Sequence, residues 1–203
     1  MKKIFLILIL LTHFNTYSQS KKIMYVDEDL KILTIEQYKS NPLNKRHYEF
    51  RVEKDSVIFY IKAVKEKFGR ISKEIHEKIK NNLITVSNSK INSNQTIIIN
   101  YFPKKDKCLG NTGWNNSFLK LTKTYTTVLK EKKNIKQFFI FKDDKIVKNF
   151  SKEFQWYKDN SQLIEKTFFK FHYPCFSYVI IKPNGNYYTK RGEYRITEIL
   201  EKI

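Results

Sequence analysis

Hydrophobic positions change their period several times along this chain, and each change predicts an element. The opening stretch has no period: Ile4 to Leu11 is an unbroken apolar run of eight residues behind Met1, Lys2 and Lys3. A helix crossing a bilayer needs about 20 apolar residues, so this run reads as the core of a secretory signal. Thr16 and Ser18 are the small residues that a signal peptidase reads, which sets the expected signal as residues 1–18 and Gln19 as the mature N-terminus. Beyond it, residues 23–26 and 57–64 read as strands, with Asn41 and Pro42 breaking the segment between them. Ser72 is placed as the N-cap of a helix running to about Leu83, because Ile75, Ile79 and Leu83 recur four apart on one face. The polar stretch SNSKINSNQ, residues 87–95, reads as a loop that divides an N-terminal extension of strands plus a helix, residues 19–95, from a core of residues 96–203.

The core has a clearer rhythm. Residues 96–102, TIIINYF, form a β-branched apolar run of the kind buried on both faces of a sheet. A loop holding Gly110 and Gly113 follows, then a helix over 117–132 with a stripe of Phe118, Leu121, Tyr125, Val128 and Leu129. Residues 136–141 predict a strand, 152–166 a helical region containing Trp156, Leu163 and Ile164, and 176–181 another strand. Pro183-Asn184-Gly185 predicts a tight turn into a strand over 186–190. Ile196, Ile199, Leu200 and Ile203 fall at i, i+3, i+4 and i+7, the stripe of a closing amphipathic helix. Strands alternating with helices predict an α/β fold, a sheet with parallel pairs and helices on both faces.

Composition narrows the functional classes. With 41% hydrophobic and 15% aromatic residues the chain has a core to fold around. The formal charge of +19 falls to +17 once Lys2 and Lys3 leave with the signal. The excess is 34 Lys against 5 Arg and is spread over the whole length, beside 25 Ile and 17 Asn. Nucleic-acid sites favour arginine forks on phosphate, so a nucleic-acid partner is not expected. A weak, salt-sensitive affinity for anionic surfaces is expected from the charge alone. No membrane span is expected after signal cleavage.

Two cysteines remain in the mature chain, Cys108 and Cys175. An even count in an exported protein favours a disulfide, and the loop it would close, about 67 residues, corresponds to roughly 4 kcal/mol of chain-entropy stabilisation.

The segment Tyr173-Pro174-Cys175-Phe176-Ser177-Tyr178-Val179-Ile180-Ile181-Lys182-Pro183-Asn184-Gly185-Asn186, with the element order around it, resembles the C-terminal half of thioredoxin-like proteins. In that family a loop proline, usually cis, precedes a buried strand, a turn with glycine, a hairpin strand and a closing helix; Pro174 matches the loop proline. The resemblance covers about residues 96–203 and implies a three-layer thioredoxin-like fold with a mixed central sheet. Family oxidoreductases carry Cys-x-x-Cys where the first of these strands meets its helix, and here that junction reads Pro103-Lys104-Lys105-Asp106-Lys107-Cys108-Leu109-Gly110-Asn111, with one cysteine.

In the resembled fold this junction and the proline loop lie side by side, which leaves three readings of Cys108 and Cys175. They form a structural disulfide; or they are a split redox pair, Cys108 attacking and Cys175 resolving; or they are unpaired and idle. Lys104, Lys105 and Lys107 favour a thiolate at Cys108 and Asp106 opposes it. His172 is the only candidate base near Cys175. His76, in a helix without the second histidine of a zinc-protease motif, reads as exposed. With five glycines there is no phosphate-cradling loop and no Gly-x-Ser-x-Gly elbow, so neither cofactor nor metal is expected. The expected functions are thiol-disulfide or peroxide chemistry through Cys108 and Cys175, acting on a protein disulfide, or binding of a protein partner by a non-catalytic relative with a structural disulfide and a basic surface. Either would act in the periplasm or outside the cell.

Overall fold

The computed structural model describes residues 20–40, 46–104, 116–147, 152 and 154–203. The expected signal, Gln19, Cys108, Gly110 and Gly113 lie outside the described residues. The chain divides into two compact units, Met1–Leu43 with Glu49–Ala63, and Asn44–Tyr48 with Val64–Ile203. Both contain mixed α/β structure, with a three-stranded and a six-stranded sheet.

The smaller unit is built from β1 (Lys22–Asp27), α1 (Ile35–Ser40) and most of β2 (His47–Glu53) and β3 (Val57–Val64), whose His47, Tyr48 and Val64 count with the larger unit; the sheet order is β1-β3-β2. β1 and β3 run parallel with Tyr25 opposite Tyr60. A reciprocal cap starts α1: the Gln37 amide donates to Thr34 Oγ1 at 3.1 Å and the Thr34 amide donates to Gln37 Oε1 at 2.9 Å. The helix thereby presents Tyr38 to the Tyr25 ring, 4.6 Å away. The Tyr38 hydroxyl donates to the Glu49 carboxylate, and Lys62 Nζ donates to the Tyr38 carbonyl at 2.5 Å.

The larger unit continues through β4 (Glu66–Arg70), α2 (Lys73–Ser87), β5 (Thr96–Phe102), α3 (Asn116–Glu131), β6 (Ile135–Phe141), α4 (Asp144–Val147), β7 (Trp156–Lys158), α5 (Leu163–Phe168), β8 (Ser177–Ile181) and β9 (Asn186–Lys190). A 3-10 helix, Ile196–Lys202, closes it. Its sheet has the order β4-β9-β8-β5-β6-β7; β5, β6 and β7 are mutually parallel, while β8, β9 and β4 add as antiparallel neighbours. Every residue of β5 after Thr96 is buried, as a strand covered on both faces requires. Ile98 and Phe102 face a cluster with Tyr125 and Leu129 of α3 and with Ile196 and Ile199 of the closing helix. On the other side Ile97, Ile99 and Tyr101 are sealed too, Tyr101 against Phe169; Ile79 and Leu83 of α2 and Ile164 and Phe168 of α5 are also buried.

One polar residue interrupts β5. Asn100 is fully buried, and its amide is matched at each atom: Nδ2 donates to Tyr194 Oη at 2.8 Å, while Oδ1 accepts from Tyr125 Oη at 3.2 Å and Gln137 Nε2 at 2.8 Å.

Several expectations change. β4 and α2, assigned from sequence to the N-terminal extension, belong with the larger unit, because β4 pairs with β9. The helical region expected over 152–166 is instead a strand and a short helix: Trp156 and Tyr157 pair with Phe139 and Ile140 of β6, where aromatic and β-branched side chains suit a sheet better than a helix. The closing helix is 3-10, whose three-residue period aligns Ile196 with Ile199 and rotates Ile203 outward, leaving it 40% exposed. Ser72 caps α2 as expected, accepting from the Ile75 amide at 3.2 Å. His76 on that helix is buried, contrary to its exposed reading, because it lies one turn from Ile79 on the inward side.

Burial depresses the His76 pKa below its ordinary 6.5, with Lys80 adding to the depression and Glu77 opposing it. The folded imidazole stays neutral while the unfolded one takes up a proton, so its contribution is present above pH 6.5 and lost as pH falls. Urea midpoints measured from pH 7.5 to pH 5 should fall with acid, and His76→Leu should flatten that part of the profile.

Candidate functional site

Parallel strands collect ligand sites at their carboxyl ends, and here β5 and β6 end together, with Phe102 opposite Phe141. The residues that follow, Pro103 and Lys104 after β5 and Lys142 and Asp143 after β6, line a recess of about 430 Å³. Its remaining wall comes from Asp144 at the start of α4 and from α5 and the chain after it, including Glu165, Phe169 and His172.

α5 is held over this end by Asp159. Its backbone amide donates to the Phe141 carbonyl at 2.8 Å, which fixes it to the end of β6, and its Oδ2 accepts from the Glu165 amide at 3.0 Å. Burial pushes the Asp159 carboxyl up, and the helix amides that donate to it offset part of that rise. Glu165 then reaches Lys142 Nζ at 2.6 Å, and Lys158 pairs with Asp144. The charges on this rim are therefore mostly neutralised in pairs. Phe169 stacks on Tyr101, centroids 4.9 Å apart and planes 12° from parallel, so the recess sits on an aromatic base. Among the described residues no group of three side chains is arranged to hold a metal ion.

The loop from Phe169 to Phe176 leads from this recess into the opposite face of the sheet. Tyr173 anchors it: its ring lies 5.7 Å from Tyr48, with the Arg191 guanidinium 5.4 Å away over it. Arg191 is itself tied down, Nη1 donating to the Val64 carbonyl at 3.2 Å. Gly192 is required beside it, since its φ is +77° and a Cβ there would meet the Tyr48 hydroxyl at 1.9 Å. Pro174 follows in this loop with a trans peptide bond, where the resembled family usually has cis.

Cys175 is 3% exposed and lies among Phe102, Phe176 and Tyr194 of the α3-facing cluster. Its φ of +68° is in the left-handed region, which a non-glycine residue occupies only where its surroundings fix it. No cysteine among the described residues is free. His172, the sequence's candidate base for Cys175, opens instead onto the recess, whose walls do not include Cys175. The structure thus gathers Pro103, Lys104 and His172 at one site and places Cys175 in the core beside it; Cys108 lies outside the described residues. Sequence reasoning missed Lys142, Asp159 and Glu165. Their signal was positional: Lys142 directly follows an apolar strand, at the end where parallel sheets place ligands. Comparison with family models, curated proteins and solved structures gives no match.

The Tyr101 hydroxyl is buried without a hydrogen-bond partner, and its pKa is raised, first by burial. Tyr101→Phe keeps the ring on Phe169 and removes an unsatisfied group, so thermal or urea unfolding should show unchanged or increased stability, by up to about 1 kcal/mol.

Proposed function

We propose that this chain is an exported, thioredoxin-like binding protein in which Cys108 and Cys175 form a structural disulfide, and that it is not a thiol-exchange catalyst. The fold part of this reading is supported by the parallel β5-α3-β6 unit, joined in one sheet to the antiparallel hairpin β8-β9 and followed by a closing helix. Pro174 supports it by its position in the loop before β8, while its trans peptide bond departs from the family's usual cis form. The export part rests on the apolar run and small residues of positions 1–18. Among the described residues no helix is long and apolar enough to cross a membrane.

The observation that carries the choice between catalyst and binding protein is the burial of Cys175 in an aromatic cluster. Exchange needs a thiolate to approach one sulfur of the bond along its axis, and apolar burial both blocks that approach and disfavours a thiolate. Cys108 is the only other cysteine in the chain, so it is the partner this reading assigns. The oxidising setting of an exported protein keeps such a bond closed. The recess at the ends of β5 and β6 then serves binding, and the diffuse excess of lysine supplies a weak attraction to anionic surfaces.

Thiol alkylation with mass analysis tests this on the mature protein. No free thiol should be found in the folded state, peptide mapping should join Cys108 to Cys175, and the bond should resist dithiothreitol until urea unfolds the chain. Cys175→Ser should lower unfolding stability by roughly 4 kcal/mol. Ready reduction of the folded protein, together with turnover of a model disulfide that Cys108→Ser abolishes, would overturn the proposal in favour of the split redox pair. N-terminal sequencing of the exported chain should begin at Gln19.

A further inference from the structure

A second recess lies at the hairpin end of the six-stranded sheet, the opposite end of β5 from the site above, and does not depend on the state of Cys175. It measures about 560 Å³, within the range of small-ligand sites. Its apolar surface comes mainly from Phe68 of the edge strand β4, with the largely buried Tyr188 of β9 and Ile180 of β8 beside it in one row across the sheet. Phe68 is 73% exposed, more than any other large apolar side chain among the described residues, and its ring lies 4.8 Å from Tyr188. A phenylalanine left in solvent within a paired strand contributes little to the core; it has the position of a binding surface.

The polar rim has one sign. Arg70, Lys182 and Lys202 line the recess, and no carboxylate does among the described residues. Lys202 Nζ sits 5.3 Å over the Tyr188 ring. Glu66, on the same strand as Phe68, faces Lys190 Nζ at 2.5 Å and also lies near Lys202, but it is not part of the lining. The lining thus carries an excess of positive charge beside an apolar surface, which favours an anion whose apolar body covers Phe68. Arginine and lysine offer a carboxylate a planar fork and a mobile point charge.

We propose that this recess binds a flat apolar monoanion, in its simplest form an aromatic carboxylic acid, with the ring system on Phe68, Ile180 and Tyr188 and the carboxylate toward Arg70, Lys182 and Lys202. Charge complementarity selects this occupant over a neutral apolar one.

The test is a nuclear magnetic resonance titration of the mature protein with 2-naphthoate and with its neutral isostere 2-naphthamide. Naphthoate should bind saturably, one per chain, with shifts centred on residues 68–70 and 180–188, and about tenfold more tightly than the amide, a difference of about 1.4 kcal/mol. Phe68→Ala should weaken both ligands; because Phe68 is exposed, the variant's spectrum otherwise stays that of the folded chain. Arg70→Gln with Lys182→Gln should weaken naphthoate alone. Equal affinity for the two ligands, unchanged binding by Phe68→Ala, or shifts centred elsewhere would each overturn the proposal. So would concentration-dependent dimerisation, measured by sedimentation, that Phe68→Ala abolishes; that result would assign the surface to a second copy of the chain.

Discussion

The larger unit depends on burying strand β5 on both faces. A strand in that position has no solvent to satisfy a polar side chain, yet Asn100 stands at its centre, and its amide is satisfied only because Tyr194, Tyr125 and Gln137 converge on it. Those partners come from three places: the turn before the closing helix, helix α3 and strand β6. An apolar residue would pack against many arrangements of these elements, but the Asn100 amide accepts few, because a buried donor or acceptor left without a partner costs about 1–3 kcal/mol. The network therefore fixes the register of α3 and the placement of the closing segment against the sheet, in a core otherwise made of interchangeable apolar contacts.

That fixed core decides what the neighbouring loop can do. The segment from Phe169 to Phe176 begins at a rim of paired charges and ends in the aromatic cluster, held midway by Tyr173 between Tyr48 and Arg191. A loop so anchored has little freedom to swing Cys175 out toward a substrate, and the left-handed backbone at Cys175 adds a further constraint. The recess at the ends of β5 and β6 keeps its lysines, carboxylates and His172 at the surface, while the sulfur chemistry the sequence suggested is displaced inward.

Much of the larger unit was legible in the chain. β5 and β9 stand at the residues their patterns marked, and β3 does so in the smaller unit, because a β-branched or alternating run leaves few other solutions. Ser72 and the Ile75, Ile79 and Leu83 spacing located α2 for the same reason. What escaped were elements whose identity is conferred by distant partners. β4 reads EKFGR, with a glycine and alternating charges, and is a strand only because β9 pairs with it; Gly69 in particular has no side chain, since a Cβ there would stand 2.6 Å from the Tyr187 ring. β7 is three residues long, too short to show a period, and β2 mixes charges with its aromatics. At the site, Cys175 and Pro174 were visible as a motif, but their burial was not, because it is set by Phe102, Phe118 and Tyr194, which come from three other parts of the chain.

The pairing of β4 with β9 also bears on how the molecule is assembled. Glu66 and Lys190 are partners across 124 positions, so the first strand of the larger unit to be synthesised waits for the last before its edge is covered. Contacts of such sequence separation form slowly, because the loop between them must be closed before they give any return. Until β9 has formed, β4 presents unpaired backbone on both of its edges. The backbone of β4 is thus prone to wrong pairing until β9 takes one of its edges, while Phe68 stays exposed in the folded chain as well.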